Sequence, residues 1–308
     1  MLLLTVVAPA ALADWVSDER AMMGTAVSVH LWSDDVQAGQ RALEEVFMEA
    51  ARIDRLMSTY KDESEISKIN REAAHGPVAT GDELFGLVQR SIDISVLTRG
   101  AFDITFDSVG QHYDFHARQR PDTETVEAER AHINYQLVKL DRTAGTIEFL
   151  EEGVRINLGG IAKGYVVDRG IDILRHRGIE HAIVTAGGDS RLLGDRRGRP
   201  WMVGIRDPRE DGEVAISVPL VDEAISTSGD YERYFEEDGV RYHHIIQPST
   251  GKPAGGVHSA TVFGPDAVIT DALSTSVFVM GFKRGQTLLG NLPDYESKFI
   301  DATGKIYY

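Results

Sequence analysis

Cysteine is absent from all 308 residues. That excludes thiol nucleophiles, disulfides, zinc–thiolate sites and a lipid-modified N-terminal cysteine in this chain. Proline is sparse, at 10 beside 30 glycines, and no linker or short-period repeat divides the sequence. Positive charge is also in short supply: 32 Lys and Arg face 48 Asp and Glu, a net charge of -16. A basic nucleic-acid face is therefore not expected, and carboxylates are left over for a metal. The apolar run Leu2–Leu12 is too short to cross a bilayer. Its continuation Ala11-Leu12-Ala13 fits the small-x-small cleavage pattern, although the usual basic residue after Met1 is missing. The expectation is a signal peptide over residues 1–13, a mature chain of residues 14–308 opening at Asp14-Trp15, and export to a bacterial periplasm. A buried N-terminal strand is the alternative.

What is present is an ordinary globular composition, 42% hydrophobic, enough for one large or two smaller cores. Ala26–Trp32 alternates as a strand. Gln37–Met57 carries apolar residues at three- and four-residue spacing, from Leu43 to Met57, and predicts a helix. A short helix is expected over Ser64–Asn70, and a longer one over Asp82–Thr98 with Leu84, Leu87, Val88, Ile92 and Val96 inward and Gly100 at its C-terminal cap. Residues 111–136 read as a polar excursion with one helix near Glu124–Tyr135. Gln136–Leu150 and Phe299–Tyr308 read as hairpins. Strands are expected over His181–Thr185, Trp201–Ile205, Glu213–Val218, Glu223–Thr227, Arg241–Ile246 and His258–Phe263, and a helix over Asp266–Met280. Mixed helices and hairpins define an α+β (mixed α/β) class, one body with two lobes flanking a cleft.

The centre of the chain is Asn157-Leu158-Gly159-Gly160-Ile161-Ala162-Lys163-Gly164-Tyr165. Val154-Arg155-Ile156 before it reads as a strand, and the residues after it repeat at helical spacing. A strand-to-helix junction exposes backbone N–H groups at the positive end of the helix dipole, a seat for phosphate. The order is neither a Walker loop nor GxGxxG, and a plain tight turn is the competing reading. Tyr60 stands at a helix exit, free for a ligand or packed at a rim. His243 and His244 are adjacent on a strand, so they point to opposite faces: one towards the core or a partner strand, the other free to face a site, with a purely structural histidine as the alternative. Asp271 and Thr275, one helical turn apart, suit Mg²⁺; the alternative is an exposed Asp with Thr bonded back to its own helix.

Taken together, these stretches resemble the ApbE family, the FAD:protein FMN transferases. The resemblance rests on Met23-Gly24-Thr25, Ser58-Thr59-Tyr60, Gly100-Ala101-Phe102-Asp103, Leu158–Tyr165, Ala186-Gly187-Gly188-Asp189, Thr227-Ser228-Gly229-Asp230-Tyr231, His244-Ile245-Ile246, Pro248 with Thr250-Gly251, and Thr270–Thr275. It implies that Met23, Tyr60, Ala101, Phe102, Asp103, Asn157, Lys163 and Ile246 line a site for FAD. It implies further that Asp271, Thr275 and the carbonyl of Gly160 hold Mg²⁺ and that His244 is the general base. Asn157, Gln247 and Ile104 depart from the Asp, Asp and Pro common in the family. The implied reaction moves FMN from FAD to a Ser or Thr hydroxyl of an acceptor protein, releasing AMP. That acceptor is expected to be a membrane redox subunit. An FAD pyrophosphatase and a non-catalytic FAD-binding protein are the alternatives.

Overall fold

Alternation marks two strands of the main sheet. In Thr25–Ser33 the residues Val27, Val29, Leu31 and Ser33 are buried, and in Ala182–Ala186 every second residue is, so these strands turn one face to a core. The computed structural model describes residues 13–210 and 212–308; the signal-peptide reading falls almost wholly outside them. Eight strands occur in the sheet in the same order as in the chain: Asp14–Met22, Thr25–Ser33, Ala182–Ala186, Asp189–Leu193, Ala224–Gly229, Val257–Gly264, Glu296–Asp301 and Ile306–Tyr307. Each pairs antiparallel with the next. The first strand, Asp14–Met22, was not foreseen; its burial does not alternate.

One face of the sheet carries helices. Leu43 and Phe47 of Val36–Met57, Val167 and Ile171 of Ala162–His176, and Ala267 pack on Val29, Ala182 and Val184. The other face is covered by the hairpin Trp201–Arg206/Val214–Leu220, through Trp201, Ile205 and Leu220 against Leu192, Ile225 and Phe263. Residues between Met57 and Ala162 form a second lobe. It contains the helices Glu65–Glu72 and Asp82–Thr98 and a three-stranded sheet of Val78–Ala79, Thr146–Phe149 and Val138–Asp141. Its core, with Ile66, Leu84, Ile104 and Ile147, also takes in Val166, Val268 and Ala272 from the two central helices. The lobes therefore share apolar contacts and meet along those helices.

Three expectations change. Val154-Arg155-Ile156 is not a strand. Its backbone is held by side chains: Ile156 N–H donates to Asn70 Oδ1 and Ile156 O accepts from Asn70 Nδ2, both at 2.9 Å, while Arg155 N–H donates to Ser108 Oγ at 3.0 Å. In Asp82–Thr98, Val96 is exposed rather than inward. The buried face there runs through Ser91, Ser95 and Thr98, whose hydroxyls donate to carbonyls one turn earlier and so enter the core satisfied. The strand of Arg241–Ile246 stops at His243, and a two-residue strand resumes at Ile246. The helix from Asp266 behaves as expected: Asp266 caps it and Gly281, at φ 71°, breaks it after Met280. No helix among the described residues is long and apolar enough to cross a membrane.

Candidate functional site

The junction is built from side chains brought in from far along the chain. Asn157 Oδ1 accepts from Gly159 N–H at 2.8 Å, and its Nδ2 donates to Asp107 Oδ1 at 3.0 Å and Thr59 Oγ1 at 3.2 Å. Its polar atoms thus hold the loop itself. Asp107 is buried, pairs with Arg155 Nε at 2.5 Å, and has its carboxyl pushed up by burial. Several backbone donors expected to face a phosphate are already used. Besides Gly159, Ala162 N–H donates to Leu158 O and Gly164 N–H to Asp271 Oδ2 at 2.9 Å.

Four chain segments converge beside that loop. Lys163 Nζ lies 2.7 Å from Asp189 Oδ2 and 3.4 Å from Asp271 Oδ1. The first contact has the distance of an ion pair but not the angle of a hydrogen bond, so Asp189 Oδ2 is a buried oxygen without a hydrogen-bond partner. Asp189 and Asp271 are 1% and 2% exposed. Burial, then the charge of Asp189, raises Asp271 to about 7, against the pull of Lys163. Burial opposes the charge on Lys163, but the two carboxylates outweigh it and raise its pKa. Thr275 Oγ1 is 3.2 Å from Ser228 Oγ, which also meets Ser274 Oγ at 2.9 Å. A Cβ at Gly160 would stand 3.2 Å from the Phe102 ring and 3.5 Å from Thr275 Oγ1. The exposed-Asp reading of the Asp271/Thr275 pair therefore does not hold.

The donors at this point are carboxylate and hydroxyl oxygens. That set suits a hard divalent cation, and Mg²⁺ commonly takes only one or two carboxylates, completing its shell with water and substrate oxygens. Among the described residues no three His, Cys, Asp or Glu side chains gather into a metal cage.

The two histidines differ in setting, and the strand that was to carry both ends at His243. His243 is 4% exposed, its Nε2 lies 2.7 Å from Ala254 O and its Nδ1 accepts from Ile245 N–H; it is a core residue. His244 follows in a bend, partly exposed, with Nδ1 sealed from solvent and without a partner. Burial, Arg233, His243 and Lys163 lower it to about 3. His244 N–H donates to Arg233 O, and Arg233 Nη2 donates to Gly24 O at 3.1 Å. This ties the bend to the hairpin tip, where Met23 holds φ 53° and packs on the core of the second lobe.

Other expected ligands are placed less directly. Tyr60 is 84% exposed beside the Thr59 that touches Asn157. Ala101 is half-buried against the core behind the last sheet strands. Asp103 is buried and accepts from Thr105 N–H, Thr105 Oγ1 and Tyr135 N–H, so its carboxylate organises its own loop. Ile246 is buried and pairs with Pro253. The reading of single residues overlooked Asp189, Ser228 and Arg233. The glycine pair preceding Asp189 and the Thr227–Tyr231 motif were the signals available for the first two.

Fold and site together define a class: α+β proteins that gather buried carboxylates, a lysine and hydroxyls at a helix N-terminus where two lobes meet. The chain belongs to the ApbE family, whose sequence model matches residues 23–299. It is 32% identical to an FAD:protein FMN transferase of Treponema pallidum, over 91% of this chain and 82% of that one. A Vibrio cholerae protein of the same name is 34% identical over 86% and 81%. The crystal structure of the ApbE protein of Thermotoga maritima superposes with a TM-score of 0.88 at 35% identity, over 96% of both chains. The flavin transferase ApbE of Vibrio cholerae gives 0.82 at 31%, over 96% and 97%.

Proposed function

We propose that this chain transfers FMN from FAD to a Ser or Thr hydroxyl of an acceptor protein, at the cluster formed by Gly160, Lys163, Asp271 and Thr275. Family membership supports the reaction. The observation that carries the site is the meeting of Lys163, Asp189 and Asp271 beside Thr275 and Gly160. Asp271, Thr275 and the Gly160 carbonyl would hold Mg²⁺, which when bound neutralises charge on the FAD diphosphate. Lys163 adds a further positive charge to the same diphosphate. Asn157 fixes the Gly159–Gly160 loop, so the backbone beside the phosphates is set before substrate arrives. His244, neutral at pH 7, accepts the proton of the incoming hydroxyl. The hydroxyl oxygen bonds to the FMN-side phosphorus, the bond to the AMP oxygen breaks, and AMP leaves with its electron pair.

A base lowered to about 3 is weak in the resting protein. A bound diphosphate nearby would raise it towards the working range. The test is mass spectrometry of an acceptor protein incubated with enzyme, FAD and MgCl2. A mass gain equal to FMN less one water, with AMP released, is expected. AMP and free FMN without a mass gain would replace the transferase with a hydrolase, and FAD binding without AMP would leave only a binding protein. We also propose export, on the Leu2–Ala13 segment; fractionation of cells expressing the full chain tests it.

A further inference from the structure

Asp189 is almost fully buried, and its Oδ2 has no hydrogen-bond partner. The proposed reaction gives it no chemical step of its own. Among the described residues its one ion-pair partner is Lys163 Nζ, at 2.7 Å, and that same ammonium reaches Asp271 Oδ1 at the longer distance of 3.4 Å. Two buried carboxylates thus share one ammonium, in a place where unpaired charge is costly. The unequal distances give Asp271 the looser hold. Its other oxygen is fixed by Gly164 N–H, so Oδ1 is the atom left to receive a cation. A lysine ammonium is a point charge on a flexible stem and can shift between two partners at small cost.

We propose that Lys163 acts as a built-in stand-in cation shared by Asp189 and Asp271, and that Asp189 is the positioning residue that retains it when a divalent cation takes Asp271. This rests on reading Asp271 and Thr275 as a divalent-cation site. Asp189 then does two things. It draws the ammonium off Asp271, which favours cation binding, and it keeps Lys163 close enough to meet the substrate diphosphate. Without Asp189, Lys163 has Asp271 as its only carboxylate and competes with the cation for it.

The test uses the full chain without FAD, titrated with MgCl2 and, as a spectroscopic probe, with MnCl2. Asp189→Asn should weaken cation binding by about tenfold or more, the size typical of residues that orient a ligand from behind. Asp189→Asn/Lys163→Met should recover most of that loss, because the competing ammonium is gone. A direct metal ligand at Asp189 predicts the opposite, a double variant as weak as the single, and that result overturns the proposal. So does unchanged binding in Asp189→Asn. Both variants carry fewer buried carboxylates than the parent, and circular dichroism melts confirm that each is folded. If the parent chain itself shows no saturable binding of either cation, the site reading fails rather than the role of Asp189.

Discussion

An aspartate at position 157 would set a second carboxylate against Asp107, where Asn157 Nδ2 now donates at 3.0 Å. The amide is therefore the complement of a buried acid. Asn157→Asp should lower stability at pH 7 by about 1–3 kcal/mol, the range for a buried group that loses its partner. Two adjacent carboxylates raise one another's pKa, so stability is retained while one is protonated and lost as pH rises through the raised value. Urea midpoints at pH 5 and pH 7.5 should thus differ more for the variant than for the parent. His244 carries the opposite sign. Its folded pKa is lowered from 6.5 to about 3, so the unfolded chain takes up a proton that the folded chain refuses. Its contribution to stability is complete above pH 6.5 and declines as pH falls towards 3, by on the order of 1 kcal/mol per pH unit. Histidine NMR should find this ring neutral at pH 5, and His244→Gln should flatten the loss of stability between pH 7 and pH 5. A ring that titrates near 6.5 would refute the assignment.

At the scale of elements, periodicity read the long pieces well because a helix or hairpin satisfies its backbone locally. The helix Asp82–Thr98 was read to the residue. The junction was misread for the converse reason. Val154–Ile156 looks like a strand by composition, but its hydrogen bonds go to Asn70 and Ser108, partners that lie 86 and 47 positions away in sequence. No local pattern encodes such partners. Asn70→Leu removes both bonds to Ile156 and leaves a buried N–H and C=O unpaired. It should cost about 2–4 kcal/mol and loosen the loop that carries Gly160, detectable as faster amide exchange across 155–160. Gly164 makes a second element-scale case. Alanine normally favours a helix interior by about 1 kcal/mol. Here a Cβ would stand 2.1 Å from Ala267 O and 2.8 Å from Asp271 Cβ, so the two central helices would have to part. Gly164→Ala should lose at least about 3 kcal/mol in urea denaturation; a neutral or stabilising result would contradict the close approach.

On the scale of the whole molecule, the sequence disclosed which motifs matter but not how they meet. Lys163, Asp189, Ser228 and Asp271 come from separate strands and helices, and only the order of the sheet brings them together. Asp189 was visible as the end of a glycine pair, yet its ion pair with Lys163 depends on a strand packing beside a helix, which spacing along the chain does not report. The same packing bears on how the two lobes unfold. The core of the second lobe includes Val166, Val268 and Ala272 from the helices that also cover the main sheet, so the second lobe has no closed core without those helices. None of the three tryptophans belongs to that shared core: Trp15, on the first strand of the main sheet, sits 5.5 Å from both Trp32 and Trp201. Tryptophan fluorescence therefore reports one end of one lobe, while far-ultraviolet circular dichroism is dominated by helices of both. If the shared core couples the lobes, the two signals should trace a single urea transition with coincident midpoints. A fluorescence change that precedes or follows the helical signal by more than about 0.5 M, beyond ordinary fitting error, would mean that the lobes unfold separately and that the central helices do not join them energetically.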